Sequence, residues 1–271
     1  MQNMKDRETS ELLSGIENII RQAGEIMVHA HLNRSEIISK AGHKNFVTEY
    51  DRKVQEFLIG ELKKLHPGAA FFAEEEKEHH EEILAQGDVF VIDPIDGTSN
   101  FMRGWFPSCI SIGMLRKGTP YLGVIYVPVS GELFTAVKGC GARKNGEPIH
   151  ASRDPLGENL AVFGTSAYYE REIVQKAFDT AMYYQERCID VRRSGSAAYD
   201  LCMVACGAAG VYAEPLIQLW DFAAGALIAQ EAGATVTDYD GKPLTFRESS
   251  GVVAVCPGAA EEDYLPFSGK C

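Results

Sequence analysis

The chain has 271 residues, and 45% of them are hydrophobic, enough to fill the core of one large domain or of two closely joined halves. Its 26 Lys and Arg against 38 Asp and Glu give a formal charge of -12, which argues against a broad basic surface for nucleic acid. The first thirty residues lack a basic start and an apolar run, and no apolar stretch approaches about 18 residues, so we expect a cytoplasmic protein without a membrane partner.

Two amphipathic helices are predicted in the first quarter of the chain, because apolar residues recur there at helical spacing over residues 12–30 and about 50–65. Short apolar and β-branched runs come next and are separated by glycine or proline turns. They predict strands over residues 71–73, 88–92, 109–115, 122–127 and 133–137.

The later half alternates strands and helices more regularly. Strands are predicted over residues 160–163, 188–192, 209–213, 234–237 and 252–255, and helices over 170–184, from about 196, and over 221–232. The alternation predicts a layered α/β fold. We expect one catalytic domain over residues 1–271, made of two packed halves at about 1–155 and 156–271.

A segment with two carboxylates, Asp-Pro-Ile-Asp-Gly-Thr at residues 93–98, follows the predicted strand 88–92. The carboxyl end of a buried strand is the usual place for an α/β active site. Asp93 and Asp96 repel each other unless a cation lies between them, and their hard oxygen ligands suit magnesium. The backbone N–H groups of Gly97 and Thr98 come next and could hold a phosphate. The segment therefore predicts a magnesium and phosphate site.

Two alternatives apply to this segment. Asp-Pro and Asp-Gly are common turn formers, so a loop that closes at Gly97 before a helix capped by Thr98 is also consistent with it. A phosphatase class with a nucleophilic aspartate at the start of a D-x-D-G-T motif is the second alternative. It fails on spacing, because the residue two positions before Asp96 is Pro94, which has no nucleophile.

Two further carboxylates extend the candidate site. Glu74 directly follows the predicted strand 71–73 and is placed to point inward, whereas the rest of the charged run up to residue 82 is typical of a solvated loop. Asp221 opens a predicted helix, where a simple N-cap role is the alternative.

These residues stand in separate motifs that follow one another in a fixed order. The motifs are Lys40 with the run at 45–51 (Asn-Phe-Val-Thr-Glu-Tyr-Asp), Glu74, the run at 93–101, the run at 193–198 (Arg-Ser-Gly-Ser-Ala-Ala) and the run at 220–225 (Trp-Asp-Phe-Ala-Ala-Gly). With them the chain resembles the inositol monophosphatase family of magnesium-dependent, lithium-sensitive phosphatases over nearly its full length. The resemblance implies an alternating αβαβα sandwich of the inositol monophosphatase and fructose-1,6-bisphosphatase type.

The resemblance also implies roles for residues at matching positions. Two or three Mg²⁺ ions would be bound by Glu74, Asp93, the carbonyl of Ile95, Asp96 and Asp221. The catalytic residues would be Asp51, Thr98 and Glu74, with Asp51 and Thr98 orienting the attacking water. Substrate contacts would come from Lys40, Ile95, Gly97, Thr98, Gly195, Ser196, Ala197, Glu214 and Asp221.

The expected reaction is in-line hydrolysis of a phosphate monoester by a metal-activated water, without a covalent phosphoenzyme. Ala197 and Glu214 favour myo-inositol 1-phosphate as substrate, since a carboxylate at position 214 can accept hydrogen bonds from a polyol; an ordinary glutamate at a strand end is the alternative. Fructose 1,6-bisphosphate or another small sugar or nucleotide phosphate remains open. So does a non-catalytic regulatory protein with a structural metal site. A homodimer and inhibition by lithium are implied by the family alone.

Overall fold

The computed structural model describes residues 2–30, 37–39, 46–76, 81–166, 169–246, 249–260 and 263. Its α-helices are α1 (Gln2–Val28), α2 (Glu49–Leu65), α3 (Thr98–Arg103), α4 (Arg171–Gln185), α5 (Ala197–Ala205) and α6 (Leu219–Glu231). In the part of the chain described, none of these helices combines the length and the apolar character needed to cross a membrane.

The strands form two large sheets and one small pair. The strands are β1 (Ile37–Ser39), β2 (Phe46–Thr48), β3 (Ala70–Ala73), β4 (Asp88–Asp96), β5 (Cys109–Arg116), β6 (Thr119–Val127), β7 (Glu132–Val137), β8 (Ala142–Lys144), β9 (Glu147–Ile149), β10 (Leu160–Phe163), β11 (Asp190–Arg192), β12 (Val211–Gln218), β13 (Thr235–Thr237) and β14 (Ser249–Val255). One sheet has the order β3-β4-β5-β6-β7-β8-β9, the other β11-β10-β12-β14-β13, and β1 pairs with β2.

Alternation along the strands divides the core into three layers. On β4, Phe90 and Ile92 pack with the apolar faces of α1 and α2, whereas Val89 and Val91 pack on the opposite face, with α5 and α6. On β12, Tyr212 faces α5 and α6, and Val211 lies in the outer layer that includes Tyr184 of α4. The order of layers is therefore α1 and α2, first sheet, α5 and α6, second sheet, α4, which confirms the predicted αβαβα sandwich.

Helix α6 is apolar on all sides because it lies between the two sheets. It approaches the first sheet closely where two strands carry glycine. A Cβ added to Gly123 would lie 2.8 Å from the carbonyl oxygen of Ala224, and one added to Gly113 would lie 3.0 Å from the Cβ of Ala223. This close packing fixes the first turn of α6, with Asp221, against the sheet that carries Asp93.

Several elements differ from the predictions at their ends. Helix α1 starts at Gln2 and not at residue 12, because its first turns are polar and show no apolar period. Strand β12 continues past residue 213 to Gln218, with an irregular register between Glu214 and Ile217 where Pro215 cannot donate to the ladder. The predicted loop after Glu74 includes a short 3₁₀ helix, Glu81–Ala85, with Leu84 buried, and residues 77–80 lie outside the described chain.

Candidate active site

The ends of two parallel strands bring the first pair of carboxylates together. Strand β3 pairs in parallel with β4, with Ala73 opposite Ile92. The backbone N–H of Glu74 donates to the carbonyl of Ile92 at 3.1 Å. Glu74 therefore lies next to Asp93, as expected for side chains that follow neighbouring parallel strands.

Strand β4 does not end before the carboxylates but runs through them with a bulge. Asp93 pairs with Ser111 and Asp96 with Cys109, so β4 carries one more residue than β5 over this stretch. A bulge tolerates Pro94, which has no N–H to give. The N–H of Ile95 donates to Oδ1 of Asp93 at 2.9 Å. The turn alternative is thus wrong for residues 93–96, since these residues belong to the strand.

Asp221 reaches the same place from the other side. Helix α6 begins at Leu219 and not at Asp221, and its N-cap is Gln218 in extended conformation. Asp221 is therefore the third residue of the helix, and its Oδ2 accepts the N–H of Gln218 at 2.9 Å. The N-cap alternative for Asp221 is therefore wrong, because the N-cap is Gln218. One oxygen of Asp221 serves the helix start while the carboxylate still belongs to the site.

Ligand oxygens of Asp93, Asp96 and Asp221 all lie within 4.8 Å of one another. Burial raises the pKa of Asp93 well above its usual range, and the charges of Glu74, Asp96 and Asp221 raise it further. Burial likewise raises the pKa of Asp221, with added repulsion from Asp96 and Glu74. Such a cluster of hard oxygen donors is costly without a cation, and it fits Mg²⁺. Glu74 and Ile95, the other two predicted ligands, line the same cavity.

A hydroxyl and a buried carboxylate stand beside this cluster. Oγ1 of Thr98 lies 3.2 Å from Oδ1 of Asp51 and 3.1 Å from the carbonyl of Ile95, so its single proton is shared between these two acceptors. The other oxygen of Asp51 accepts the N–H and the hydroxyl of Thr48 at 2.7 Å and 2.5 Å. Asp51 therefore closes the start of α2 and holds Thr98 at once. Helix α3 begins at Thr98, but its N-cap is Gly97, so Thr98 is not the cap.

A cavity of about 450 Å³ brings the predicted residues together. It is lined, among others, by Glu74, Asp93, Ile95, Asp96, Gly97, Thr98, Gly195, Ser196, Ala197, Glu214 and Asp221. Gly97 has a φ of +85°, and a Cβ there would lie 3.1 Å from the carbonyl oxygen of Pro107, so glycine is required. Asp51 is not among the lining residues and contacts the site through its hydrogen bond with Thr98. Lys40 lies outside the described residues.

Glu214 is buried on β12 and faces the cavity from the second half of the chain. Its Oε2 accepts the hydroxyl of Tyr212 at 2.8 Å. Burial raises the pKa of Glu214 to about 8, although the hydrogen bond from Tyr212 and the charge of Arg193 oppose the shift. Gly164 makes room for it, because a Cβ at this position would lie 1.8 Å from Oε2 of Glu214. Glu214 is thus a built part of the cavity wall and not an ordinary glutamate at a strand end.

The residues that line the cavity but were not predicted as site residues include Thr165, Arg193 and Asp200. Thr165 follows the end of β10, so the carboxyl-end rule that picked out Glu74 also applied to it. Arg193 stands within the quoted motif at 193–198, and its guanidinium donates to the carbonyl of Thr165 at 2.6 Å. Asp200 is buried one turn into α5, and neither spacing nor composition signals its place.

Comparisons with known proteins agree with this geometry. A sequence model of the inositol monophosphatase family matches residues 8–266. The Nus factor SuhB of Xylella fastidiosa is 37% identical over 241 residues, covering 85% of this chain and 83% of that protein. The inositol-1-monophosphatase of Synechocystis is 37% identical over 232 residues, covering 84% and 78%. The crystal structure of the extragenic suppressor protein suhB from Bartonella henselae has a TM-score of 0.82 at 31% identity, covering 91% and 94%.

The relatives carry different names, so their names alone choose neither a substrate nor a partner. The family match nevertheless spans nearly the whole chain, and it supports phosphatase activity. The cavity is lined by the carboxylate cluster and by residues from the family motifs at 93–101, 193–198 and 220–225. The chain therefore belongs to the inositol monophosphatase family.

Proposed function

We propose that this protein hydrolyses a small phosphate monoester with the help of Mg²⁺, and that myo-inositol 1-phosphate is its substrate. The observation that carries the proposal is the cluster of Asp93, Asp96 and Asp221 next to the paired Thr98 and Asp51. Mg²⁺ bound by these carboxylates would offset the charge of the phosphoryl oxygens and favour deprotonation of the attacking water.

The residues of the chain divide the remaining work. The Thr98 hydroxyl donates its hydrogen bond to Asp51 or to the Ile95 carbonyl. The lone pairs of Oγ1 are therefore left to accept a hydrogen bond from the attacking water. Glu74 lines the same cavity and takes the proton that this water loses as its oxygen bonds to phosphorus. The bond between phosphorus and the polyol oxygen breaks on the opposite side, and this oxygen keeps the electron pair and takes a proton from a solvent water, so the product is the free alcohol. Gly97 lines the cavity next to Thr98, and we assign its N–H to the phosphate.

Glu214 supports a polyol as the leaving group. With a pKa of about 8, its carboxyl is protonated near neutral pH in the metal-free protein, and it then offers both an O–H donor and a C=O acceptor. Neighbouring hydroxyls of a polyol can use both. The sequence predicted that Glu214 accepts hydrogen bonds from a polyol, and a protonated carboxyl adds one donor to that role. The name of the Synechocystis relative agrees with this choice of substrate.

Fructose 1,6-bisphosphate is a second candidate, and one observation favours it. Among the described residues that line the cavity, Arg193 carries the one cationic side chain. A guanidinium is well suited to a second phosphate group. The side chain is exposed, however, and its guanidinium already donates to the carbonyl of Thr165.

A panel of esters tests the choice of substrate. Under saturating Mg²⁺ near pH 7, we expect kcat/KM for myo-inositol 1-phosphate to exceed the values for fructose 1,6-bisphosphate, a nucleoside 3'-phosphate and histidinol phosphate by about tenfold, worth roughly 1.4 kcal/mol. A tenfold preference for the bisphosphate would replace inositol phosphate as the substrate. Thermal stabilisation by Mg²⁺ without hydrolysis of any of these esters would favour a non-catalytic metal-binding protein.

Gly164→Ala tests the role of Glu214. The new Cβ would meet Oε2 of Glu214 at 1.8 Å, so the carboxyl must move out of its place. We expect KM for inositol 1-phosphate to rise about tenfold, the worth of one or two hydrogen bonds, while Mg²⁺ affinity stays within about twofold. Gly157→Ala is the matched control, because its nearest neighbour would be at an ordinary 3.5 Å. An unchanged KM in a folded Gly164→Ala protein would remove Glu214 from substrate binding.

Two or three bound metal ions, a homodimer and inhibition by lithium follow from the family resemblance alone and belong to the same proposal. A cytoplasmic location and the absence of a nucleic-acid or membrane partner, expected from the charge and the sequence pattern, also stay part of it. We also keep the division into halves near residue 155 as a proposal. One hydrophobic cluster joins the two sheets across that point.

A further inference from the structure

One oxygen of Asp96 is held by donors from the other half of the chain. The hydroxyl of Ser196 donates to Oδ2 of Asp96 at 2.6 Å, and the backbone N–H of Ala198 donates to the same oxygen at 2.7 Å. The thiol of Cys109, on the neighbouring strand β5, lies 3.7 Å from it. Asp96 and Ser196 are 7% and 1% exposed, so water does not compete freely for these bonds.

Ser196 does not use its hydroxyl in the usual way for its position. It is the N-cap of α5, where a serine side chain ordinarily accepts an N–H of its own first turn. Here the side chain makes no such bond, and Asp96, one hundred positions earlier, accepts the N–H of Ala198 instead. The carboxylate of Asp96 therefore caps α5, and the hydroxyl of Ser196 is free to orient that carboxylate.

This arrangement determines which oxygen of Asp96 is available. A carboxylate oxygen has two good lone-pair directions, and two short hydrogen bonds occupy those of Oδ2. The other oxygen, Oδ1, remains for the cavity that Asp96 lines together with Asp93 and Asp221. The bulge in β4 lies between Asp93 and Asp96, and Asp96 pairs with Cys109 beyond it. This pairing fixes the backbone of Asp96 but not the rotation of its carboxylate.

We propose that Ser196 is a positioning residue which, with the first turn of α5, holds Oδ2 of Asp96 so that Oδ1 is presented to Mg²⁺. The proposal rests on the metal site of the proposed function, and it gives the Ser196 side chain a task other than the substrate contact implied by the resemblance. Groups that orient a ligand from behind typically change metal affinity by about 10- to 100-fold when removed. Ser196 also ties Asp96, on the first sheet, to α5 in the second half of the chain.

The test measures Mg²⁺ affinity directly, by calorimetry, with Mn²⁺ as a paramagnetic probe of the same site. We expect Ser196→Ala to raise the dissociation constant for Mg²⁺ by about tenfold. Ser196→Thr keeps the hydroxyl, so its dissociation constant should stay within about threefold of the wild-type value. Ser111→Ala is the matched control: it removes another buried serine hydroxyl near the site, but this one lies 3.3 Å from the carbonyl of Trp220. We expect no change in affinity from it.

Ser196→Gly removes the same hydroxyl with less demand on packing and serves as the second variant where the alanine protein does not fold. Wild-type affinity in either folded variant would overturn the proposal, as would equal weakening by Ser111→Ala. Hydrolysis is measured separately. A wild-type protein that binds Mg²⁺ but cleaves no ester would contradict the proposed reaction and leave the Ser196 result intact.

Discussion

Asp93→Asn is expected to lower kcat/KM for inositol 1-phosphate by at least about a thousandfold, or roughly 4 kcal/mol of barrier. Asp93 is 2% exposed and lies within the cluster that also holds Asp96 and Asp221. An amide keeps the shape of the side chain but removes the charge that would hold the cation. Steady-state assays with a Mg²⁺ titration check the result, because a lost ligand cannot be fully replaced by more metal.

Asp88→Asn is the matched control on the same strand. Asp88 lies at the opposite end of β4. Its carboxylate accepts hydrogen bonds from Nε and a terminal nitrogen of Arg116 at 2.8 Å and 2.9 Å. Its loss removes a partly exposed ion pair and leaves the site untouched, so activity should stay within about twofold. Equal activity of Asp93→Asn and Asp88→Asn would show that the carboxylate cluster is not the metal site.

The layers of the fold could be predicted because alternation and helical spacing record which faces are buried. β10 matches the predicted strand at both ends, and the predicted α2 differs by one residue, since apolar runs bounded by turns mark them clearly. Strands β8 and β9 were missed because three residues are too few to show a period. The early start of α1 was missed because polar first turns carry no apolar signal.

The carboxylate site could be predicted because neighbouring parallel strands end at one edge of a sheet. This rule places Glu74 beside Asp93, and the structure brings them together. The rule says nothing about how a carboxylate is oriented. The bonds from Ser196 and Ala198 to Asp96 join residues about one hundred positions apart, and they depend on the packing of α5 against the first sheet.

The fit between Gly164 and Glu214 shows the same limit. In the sequence, Gly164 is simply the residue after a short strand, and glycine is common at such ends. Its φ is not in the left-handed region, so backbone conformation does not explain the glycine. The reason is the carboxyl of Glu214, which occupies the space of the missing Cβ. Such a relation appears only when two strands of a sheet are in register.

The stability of the metal-free protein is expected to fall as pH rises from about 4 towards 8. Burial raises the pKa of Asp93, Asp221 and Asp200 well above the usual range and that of Glu214 to about 8. Between the pKa in the unfolded chain and the raised pKa in the folded chain, the folded state binds more protons. The free energy of unfolding therefore decreases with pH over this window. Protonated carboxyls favour the folded state, and each ionisation removes part of that advantage.

In the proposed function Mg²⁺ binds the ionised carboxylates, so its stabilising effect should grow over the same range of pH. At about 100 times its dissociation constant, a cation stabilises the folded state by roughly 2.7 kcal/mol, which corresponds to about 5 °C in Tm for a protein of this size. Scanning calorimetry with EDTA or with Mg²⁺ measures the gap in Tm. We expect it to be widest near pH 8 and small near pH 5, and Asp93→Asn should flatten the fall of Tm in EDTA because it removes one of the titrating groups. A gap that is independent of pH, or a Tm in EDTA that rises towards pH 8, would mean that these carboxylates ionise normally in the folded chain and that no cation is needed to hold them together.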